Sequence, residues 1–114
     1  DMAYGRIGVH FEPALRVLAT VISANHTDRV TVDAGFKALS TDRPFHPEPY
    51  ARPGVRFKFA GDEFGYLLAH GGALPALGEK VELLPPHIDP TVNLHSHIHL
   101  CRGDIVEEIW TLKQ

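Results

Sequence analysis

The chain has 114 residues, of which 44% are apolar and 22% charged, and its formal net charge at pH 7 is −3. This length suits one domain with its own core, and the acidic balance provides no basic field for nucleic acid or an anionic membrane. No apolar run approaches the roughly 18 residues of a membrane span, and the single Cys101 excludes an internal disulfide and fits a reducing compartment. We therefore expect a cytoplasmic globular domain without a nucleic-acid or membrane partner.

The first half of the chain predicts short strands. Residues 14–24 end in β-branched side chains, and residues 29–33 alternate with period two after the polar turn 25–28. These segments predict two strands joined by a short loop. A helix over the first segment is the alternative, and its β-branched residues weigh against that helix. The proline-rich residues 41–54 predict a structured surface loop.

The second half predicts further strands and a hairpin. Residues 55–59 alternate cleanly, so their odd-numbered side chains should face inward, and residues 64–69 should pair with them. Residues 80–84 predict another strand, and residues 95–101 and 105–112 predict a hairpin across an Arg-Gly-Asp turn. So many short strands indicate a mainly β fold, a single antiparallel β-sandwich or open barrel.

Several polar residues are candidates for chemistry, although each has an ordinary structural explanation. His95, His97 and His99 alternate, so they form either a metal-binding face or a polar outer face of one strand, and the outer face is favoured for the last two. Asp62 and Glu63 would point to opposite faces of an extended chain, which argues against an acid–base pair. A turn-forming role is favoured for Asp62. Tyr4 is either an active-site phenol or a half-buried ring, and the second is favoured.

His87 and Asp89 lie in the rigid sequence LPPHIDPTVNLH, residues 84–95. In an extended chain these two side chains point the same way, and Pro86 and Pro90 restrict the backbone on both sides. An imidazole nitrogen and a carboxylate oxygen together suit a borderline cation such as zinc or manganese. The spacing alone also fits a His–Asp hydrogen bond in a turn.

Three motifs in this order give the chain a family resemblance. VDAGFKALSTD (32–42), GDEFG (61–65) and LPPHIDPTVNLH precede a closing GDIVEEIWTL, residues 103–112. The chain resembles the C-terminal β domain of the D-threonine aldolase and D-serine dehydratase family from about Asp1 to Leu112. That family is a group of pyridoxal-phosphate lyases with an alanine racemase-like N-terminal barrel. Some members carry Glu-His-Gly where this chain has Glu63, Phe64 and Gly65, so that imidazole is absent here.

The resemblance implies a role in D-amino acid metabolism for residues 1–114 as a detached or partial C-terminal domain. It implies that His87 and Asp89 bind a divalent metal, namely manganese, magnesium or zinc, and that pyridoxal phosphate is bound by a lysine of the missing barrel. It assigns no catalytic or cofactor-binding residue to this chain, and Lys37 is interpreted as structural or at the substrate edge. The isolated chain should therefore be inactive, and the expected partners are the barrel of the same protein, a second copy and an amino-acid substrate.

Two kinds of function follow from these observations. The first is the metal-bearing part of a lyase that acts on D-3-hydroxy amino acids, by retro-aldol cleavage or by elimination. Cysteine often replaces Asp89 in dehydratases of the family, so the aspartate favours the aldolase branch. The alternative is a free-standing, non-catalytic β module for metal binding or dimerisation.

Overall fold

The structure is a computed structural model, and it describes residues 13–113. Within these residues the protein is built from eight strands and one five-residue helix. Every strand pairing is antiparallel. The elements are β1 (Val17–Ser23), β2 (Arg29–Val32), β3 (Glu48–Pro49), β4 (Val55–Phe59), β5 (Gly65–Ala69), β6 (Lys80–Leu84), α1 (Ile88–Val92), β7 (His97–Arg102) and β8 (Ile105–Thr111).

Six of these strands form one sheet that almost closes on itself. Their order is β3-β6-β1-β2-β5-β4, and the two end strands, β3 and β4, contact each other. A sheet whose ends meet protects its edges from pairing with other chains. The prediction of a mainly β, antiparallel open barrel is therefore confirmed.

The core follows from the alternation of side chains along the strands. On β1, Val17, Ala19 and Val21 are buried, whereas Leu18 between them is 64% exposed. Successive side chains of a strand point to opposite faces, so β1 is a strand and the helical alternative for this segment is wrong. The inward residues of β4 are also as predicted, except that Phe59 is only partly buried. Its ring stacks at 4.2 Å on that of Phe36, which is itself exposed.

The proline-rich segment 41–54 is a loop with one short strand, as its sequence indicates. Within it, β3 pairs with β6, and the Tyr50 amide donates a hydrogen bond of 2.8 Å to the Glu82 carbonyl. The guanidinium of Arg16 lies 3.5 Å from the centre of the Tyr50 ring. Backbone and cation–π contacts therefore fix this loop against the barrel.

The remaining two strands form a hairpin with its own two-stranded sheet. β7 and β8 pair as predicted, with a bulge between Leu100 and Cys101, but every residue of β8 is exposed. Ile105, Ile109 and Trp110 are 69%, 56% and 51% exposed. Large apolar side chains are thus open on the hairpin. No helix among residues 13–113 has the length and apolar character needed to cross a membrane.

We expect the variant Leu83→Ala to lower the free energy of unfolding by about 2–5 kcal/mol, because Leu83 is fully buried between β1 and β3. Leu18→Ala is the matched control, since Leu18 lies outward on the neighbouring strand, and it should change stability by less than about 0.5 kcal/mol. Urea unfolding of both variants measures the difference, and equal losses would contradict the assignment of the core.

Candidate functional site

Three segments that the sequence singles out lie against one another. We call residues 33–42 the central segment, residues 61–65 the glycine turn and residues 84–95 the histidine segment. The central segment leaves β2 and touches the glycine turn with its first half and the histidine segment with its second half. These contacts join three stretches that are far apart in sequence into one surface region.

The glycine turn approaches the central segment at Gly35. The amides of Phe36 and Lys37 donate hydrogen bonds to the carbonyls of Gly61 and Asp62, at 3.1 and 2.9 Å. A Cβ atom on Gly35 would lie 2.3 Å from the Gly61 carbonyl oxygen. Glycine is therefore required here by the close approach of the two backbones.

Lys37 and Glu63 connect the same two segments through their side chains. The Lys37 Nζ donates to Glu63 Oε1 at 2.5 Å, and both side chains are more than half exposed. This hydrogen bond, together with the negative charge of Glu63, raises the pKa of Lys37. The ion pair supports the structural interpretation of Lys37, and Asp62 serves the turn through its carbonyl, as a turn residue should.

The histidine segment is attached to the central segment by a pair of hydroxyl groups. Thr91, in α1, is only 1% exposed, and its Oγ1 accepts a hydrogen bond from the Ser40 amide at 3.1 Å. The Ser40 and Thr91 hydroxyls lie 2.8 Å apart, and Ser40 also donates to the His87 carbonyl at 3.4 Å. These bonds satisfy polar groups that would otherwise be buried without partners.

His95 makes a second attachment and does not belong to a row of histidines. Its Nε2–H donates to the Ala38 carbonyl at 2.8 Å, and β7 begins only at His97. The prediction that His95 shares a strand face with His97 and His99 is therefore wrong. The last two are exposed on the hairpin, as the outer-face interpretation predicts.

His87 and Asp89 are both accessible, but the backbone between them is not extended. His87 has extended dihedral angles (φ −140°, ψ 130°) and precedes α1, whereas Asp89 lies in the first turn of that helix. The prediction of two side chains on one extended face is wrong, because the helix begins at Ile88. Pro86 is buried and Pro90 occupies the first turn of α1, where its missing N–H removes no helical hydrogen bond.

A carboxylate that the sequence did not reveal stands beside His87. The Oδ2 atom of Asp42 lies 3.6 Å from His87 Nδ1, and the two side chains are 37% and 40% exposed. Asp42 ends the central segment, so the attachment through Ser40 and Thr91 brings it there. No motif spacing predicts this neighbour.

The other candidate residues are spread over the surface. Residues 13–113 contain no group of three or more His, Cys, Asp and Glu side chains suited to hold a metal ion. Tyr4 and His10 lie outside the described residues. His26, His46 and His70 are exposed, as expected for surface loops.

An open groove of about 1050 Å³ runs along residues 44–57, with His70 and Leu84 also on its walls. Its lining is rich in proline and aromatic rings and includes Arg52 and Arg56. Arg52 is engaged by an ion pair with Glu79. Neither His87 nor Asp89 lines this groove, which touches the histidine segment at Leu84.

Comparison with known families assigns the chain to one of them. Residues 14–101 match the family model described as "Putative serine dehydratase domain". The chain belongs to the serine dehydratase domain family. This match includes all three segments of the candidate site, and it confirms the resemblance drawn from their motifs.

Curated relatives of this family member are enzymes. The chain is 41% identical over 103 residues to a D-threonine aldolase of an Arthrobacter species, covering 90% of the chain and 27% of the relative. It is 36% identical over 119 residues to a 3-hydroxy-D-aspartate aldolase of Paracoccus denitrificans, covering 96% of the chain and 30% of the relative. The chain thus spans less than a third of each relative's length, and the family to which it belongs is one of enzymes.

Solved structures agree with this assignment. D-threonine aldolase from Filomicrobium marinum superposes with a TM-score of 0.83 at 43% identity, over 90% of this chain and 28% of that one. D-threo-3-hydroxyaspartate dehydratase from Delftia sp. HT23 gives 0.78 at 28% identity, over 97% and 35%. Variants of a dehydratase of this name carry alanine for a histidine, or for a cysteine two positions further on, the latter in a metal-free form.

Glu63→Gln should move the pKa of Lys37 back toward its ordinary value, because it removes the charge that raises it. A raised lysine pKa stabilises the folded chain below the unfolded pKa, about 10.4, and this effect is lost as pH rises through the raised folded value. The stability difference between the original chain and Glu63→Gln should therefore shrink at strongly alkaline pH. Titration by NMR and urea unfolding from pH 7 upward measure both effects.

The control for this experiment is Glu108→Gln, which removes an exposed carboxylate on β8. It should leave the titration of Lys37 unchanged. An unaltered pKa of Lys37 in Glu63→Gln would contradict the ion pair.

Thr91→Val should cost about 1–3 kcal/mol of stability, because it keeps the side-chain shape and removes the buried hydroxyl that accepts from the Ser40 amide. Thr27→Val, at an exposed loop position, should change stability by less than about 0.5 kcal/mol. Urea unfolding compares the two. If both variants are equally stable, the hydroxyl pair does not hold the histidine segment.

Proposed function

We propose that this chain is the metal-bearing C-terminal β domain of a pyridoxal-phosphate-dependent lyase that acts on D-3-hydroxy amino acids. Its relatives are a D-threonine aldolase and a 3-hydroxy-D-aspartate aldolase, both acting on amino acids of this class. Because the chain spans less than a third of them, the catalytic unit in this proposal includes an N-terminal barrel domain.

The observation that carries the metal role is the accessible pair His87 and Asp89 at the start of α1. They have the same spacing as the histidine and cysteine replaced in the dehydratase variants, one of which is metal-free. Imidazole nitrogen and carboxylate oxygen are a donor set that zinc and manganese accept. The residues present therefore fit a divalent metal, with solvent access for further ligands.

When bound, the metal supplies Lewis-acid stabilisation of the substrate's 3-hydroxyl oxygen. The role of this chain is to hold the ligand side chains in place. The histidine segment does so through the buried Thr91 and through His95, which fasten it to the central segment after Asp89, and through the His87 carbonyl, which accepts from Ser40 before it. An oxygen donor from Asp89, in place of a thiolate, favours manganese or magnesium over zinc.

Pyridoxal phosphate supplies the electron sink for cleavage of the amino acid, and in this proposal it is bound by the barrel domain. We assign no residue of this chain to it. The open hairpin offers apolar side chains for contact with another domain, whether from the same chain or from the second subunit of a homodimer. Such a contact would bring the metal ligands and the cofactor together.

Within this class we favour the aldolase reaction. Asp89 differs from the cysteine that alanine replaces in one dehydratase variant, and identity to the D-threonine aldolase structure is 43%, against 28% for the dehydratase. Elimination of the 3-hydroxyl group is the second candidate, because it needs the metal at the same oxygen. Product analysis with D-threonine, looking for glycine and acetaldehyde or for a 2-oxo acid, distinguishes the two.

In the full-length protein, His87→Ala and Asp89→Ala should each lower turnover about 100-fold or more while pyridoxal phosphate remains bound, because the metal acts on the hydroxyl group and not on the cofactor. Metal content, cofactor absorbance and melting temperature are measured on each variant. His97→Ala and Asp104→Ala are matched controls on the exposed hairpin and its turn, and both should retain activity.

A purely structural hydrogen bond at His87 predicts the opposite result. Stability would fall, whereas the fraction that remains folded would keep its metal and its activity. Full activity of a metal-free Asp89→Ala protein would rule out the proposed metal role.

A further inference from the structure

We infer that Asp42 is a positioning residue for His87. In this arrangement the Asp42 carboxylate accepts a hydrogen bond from the N–H of His87 Nδ1, so that the proton stays on Nδ1 and Nε2 keeps the lone pair that would bind a metal ion. The inference rests on the proposed function of His87, and it assigns to the same site a residue that lies in a different segment of the chain.

The distance supports a neighbour that acts on the Nδ1 side of the ring. Asp42 Oδ2 is 3.6 Å from His87 Nδ1, slightly longer than a hydrogen bond. A small rotation of either half-exposed side chain closes this gap, and functional hydrogen bonds are commonly long before the other components of a site are in place. Nε2 is the other ring nitrogen, so a carboxylate at Nδ1 does not compete with a metal ion for the same atom.

The backbone on both sides keeps the two groups adjacent. The Phe45 amide donates to the Asp42 carbonyl at 2.8 Å and closes a turn directly after the carboxylate. Two residues before Asp42, Ser40 bonds to both Thr91 and the His87 carbonyl. Asp42 and His87 therefore belong to the two sides of one partly buried hydrogen-bonded contact.

The chemistry of histidine ligands explains what this arrangement provides. A metal-bound imidazole almost always donates its other ring N–H to a carboxylate, a backbone carbonyl or water. That bond selects the tautomer, fixes the ring orientation and makes the ligating nitrogen more basic. Asp42 places a carboxylate beside the nitrogen that a metal ion bound at Nε2 would leave for such a bond.

The first test uses the metal-free full chain, with ¹⁵N-labelled histidine and NMR at a pH where the ring is neutral. His87 should carry its proton on Nδ1 in the original chain and lose that preference in Asp42→Ala. Asp42→Asn, which retains an oxygen acceptor, should preserve most of it. A His87 tautomer that is protonated on Nε2 in the original chain, or unchanged in Asp42→Ala, would overturn the inference. This result does not depend on whether His87 binds a metal.

The second test measures manganese affinity of the full-length protein by calorimetry. Asp42→Ala should weaken binding about 10–100-fold, Asp42→Asn should weaken it less, and the control Asp104→Ala should leave it unchanged. If His87→Ala leaves manganese binding intact, the proposed metal site is wrong, whatever the tautomer shows. If Asp42→Ala abolishes binding as completely as His87→Ala while the tautomer is unaffected, Asp42 is itself a ligand and the positioning role is wrong.

Discussion

The arrangement of the candidate site depends on one buried contact between two hydroxyl groups, those of Ser40 and Thr91. The residues are 51 positions apart in the sequence, and Thr91 is 1% exposed. A helix of five residues has almost no stability of its own, because nucleation is costly and few hydrogen bonds follow it. The start of α1, where His87 and Asp89 lie, is therefore positioned by what Thr91 contacts. Because α1 is so short, contacts with the rest of the domain hold it in place. These are the Ser40 bonds, the buried Pro86 and the His95–Ala38 bond.

The central segment carries this contact because its other end is equally constrained. Gly35 permits the backbone to touch the glycine turn at a separation that no side chain would allow. The amides of Phe36 and Lys37 donate hydrogen bonds to carbonyls of that turn. Leu39 is fully buried in the core. The segment is thus held at its start by backbone bonds, in its middle by apolar burial and near its end by Ser40. Rigid support from the barrel reaches Asp42 and His87 through this sequence of contacts.

The sequence predicted those parts of the structure that depend on local pattern. The strands at 55–59 and 80–84 have the bounds that their alternation indicates, and the hairpin formed as its turn residues suggested. The region at 87–89 was predicted as extended because two prolines flank it. The observed helix instead depends on the contacts of Thr91 with Ser40. These contacts cannot be predicted from a local sequence pattern. The sequence did not predict Asp42 as a neighbour of His87 for the same reason, because only the folded chain brings the central segment beside His87. The identities of His87 and Asp89 as proposed ligands came from the motif and the family, whereas the geometric argument for them failed.

If the metal ligands belong to this domain and the cofactor belongs to a barrel domain, the distance between metal and cofactor is set by the contact between domains. A misplacement of about 1 Å in reacting groups can cost a large factor in rate, so that contact must be stiff. The hairpin is suited to such a role because it presents Ile105, Ile109 and Trp110 on a two-stranded sheet that the barrel of this domain does not cover. Tryptophan is among the residues that contribute most of the energy at well-packed interfaces. The support of His87 is built from hydrogen bonds of Ser40 to Thr91 and to the His87 carbonyl rather than from a long helix. The segment presents its proposed ligands at the surface, while Pro86 and Thr91 behind them are buried.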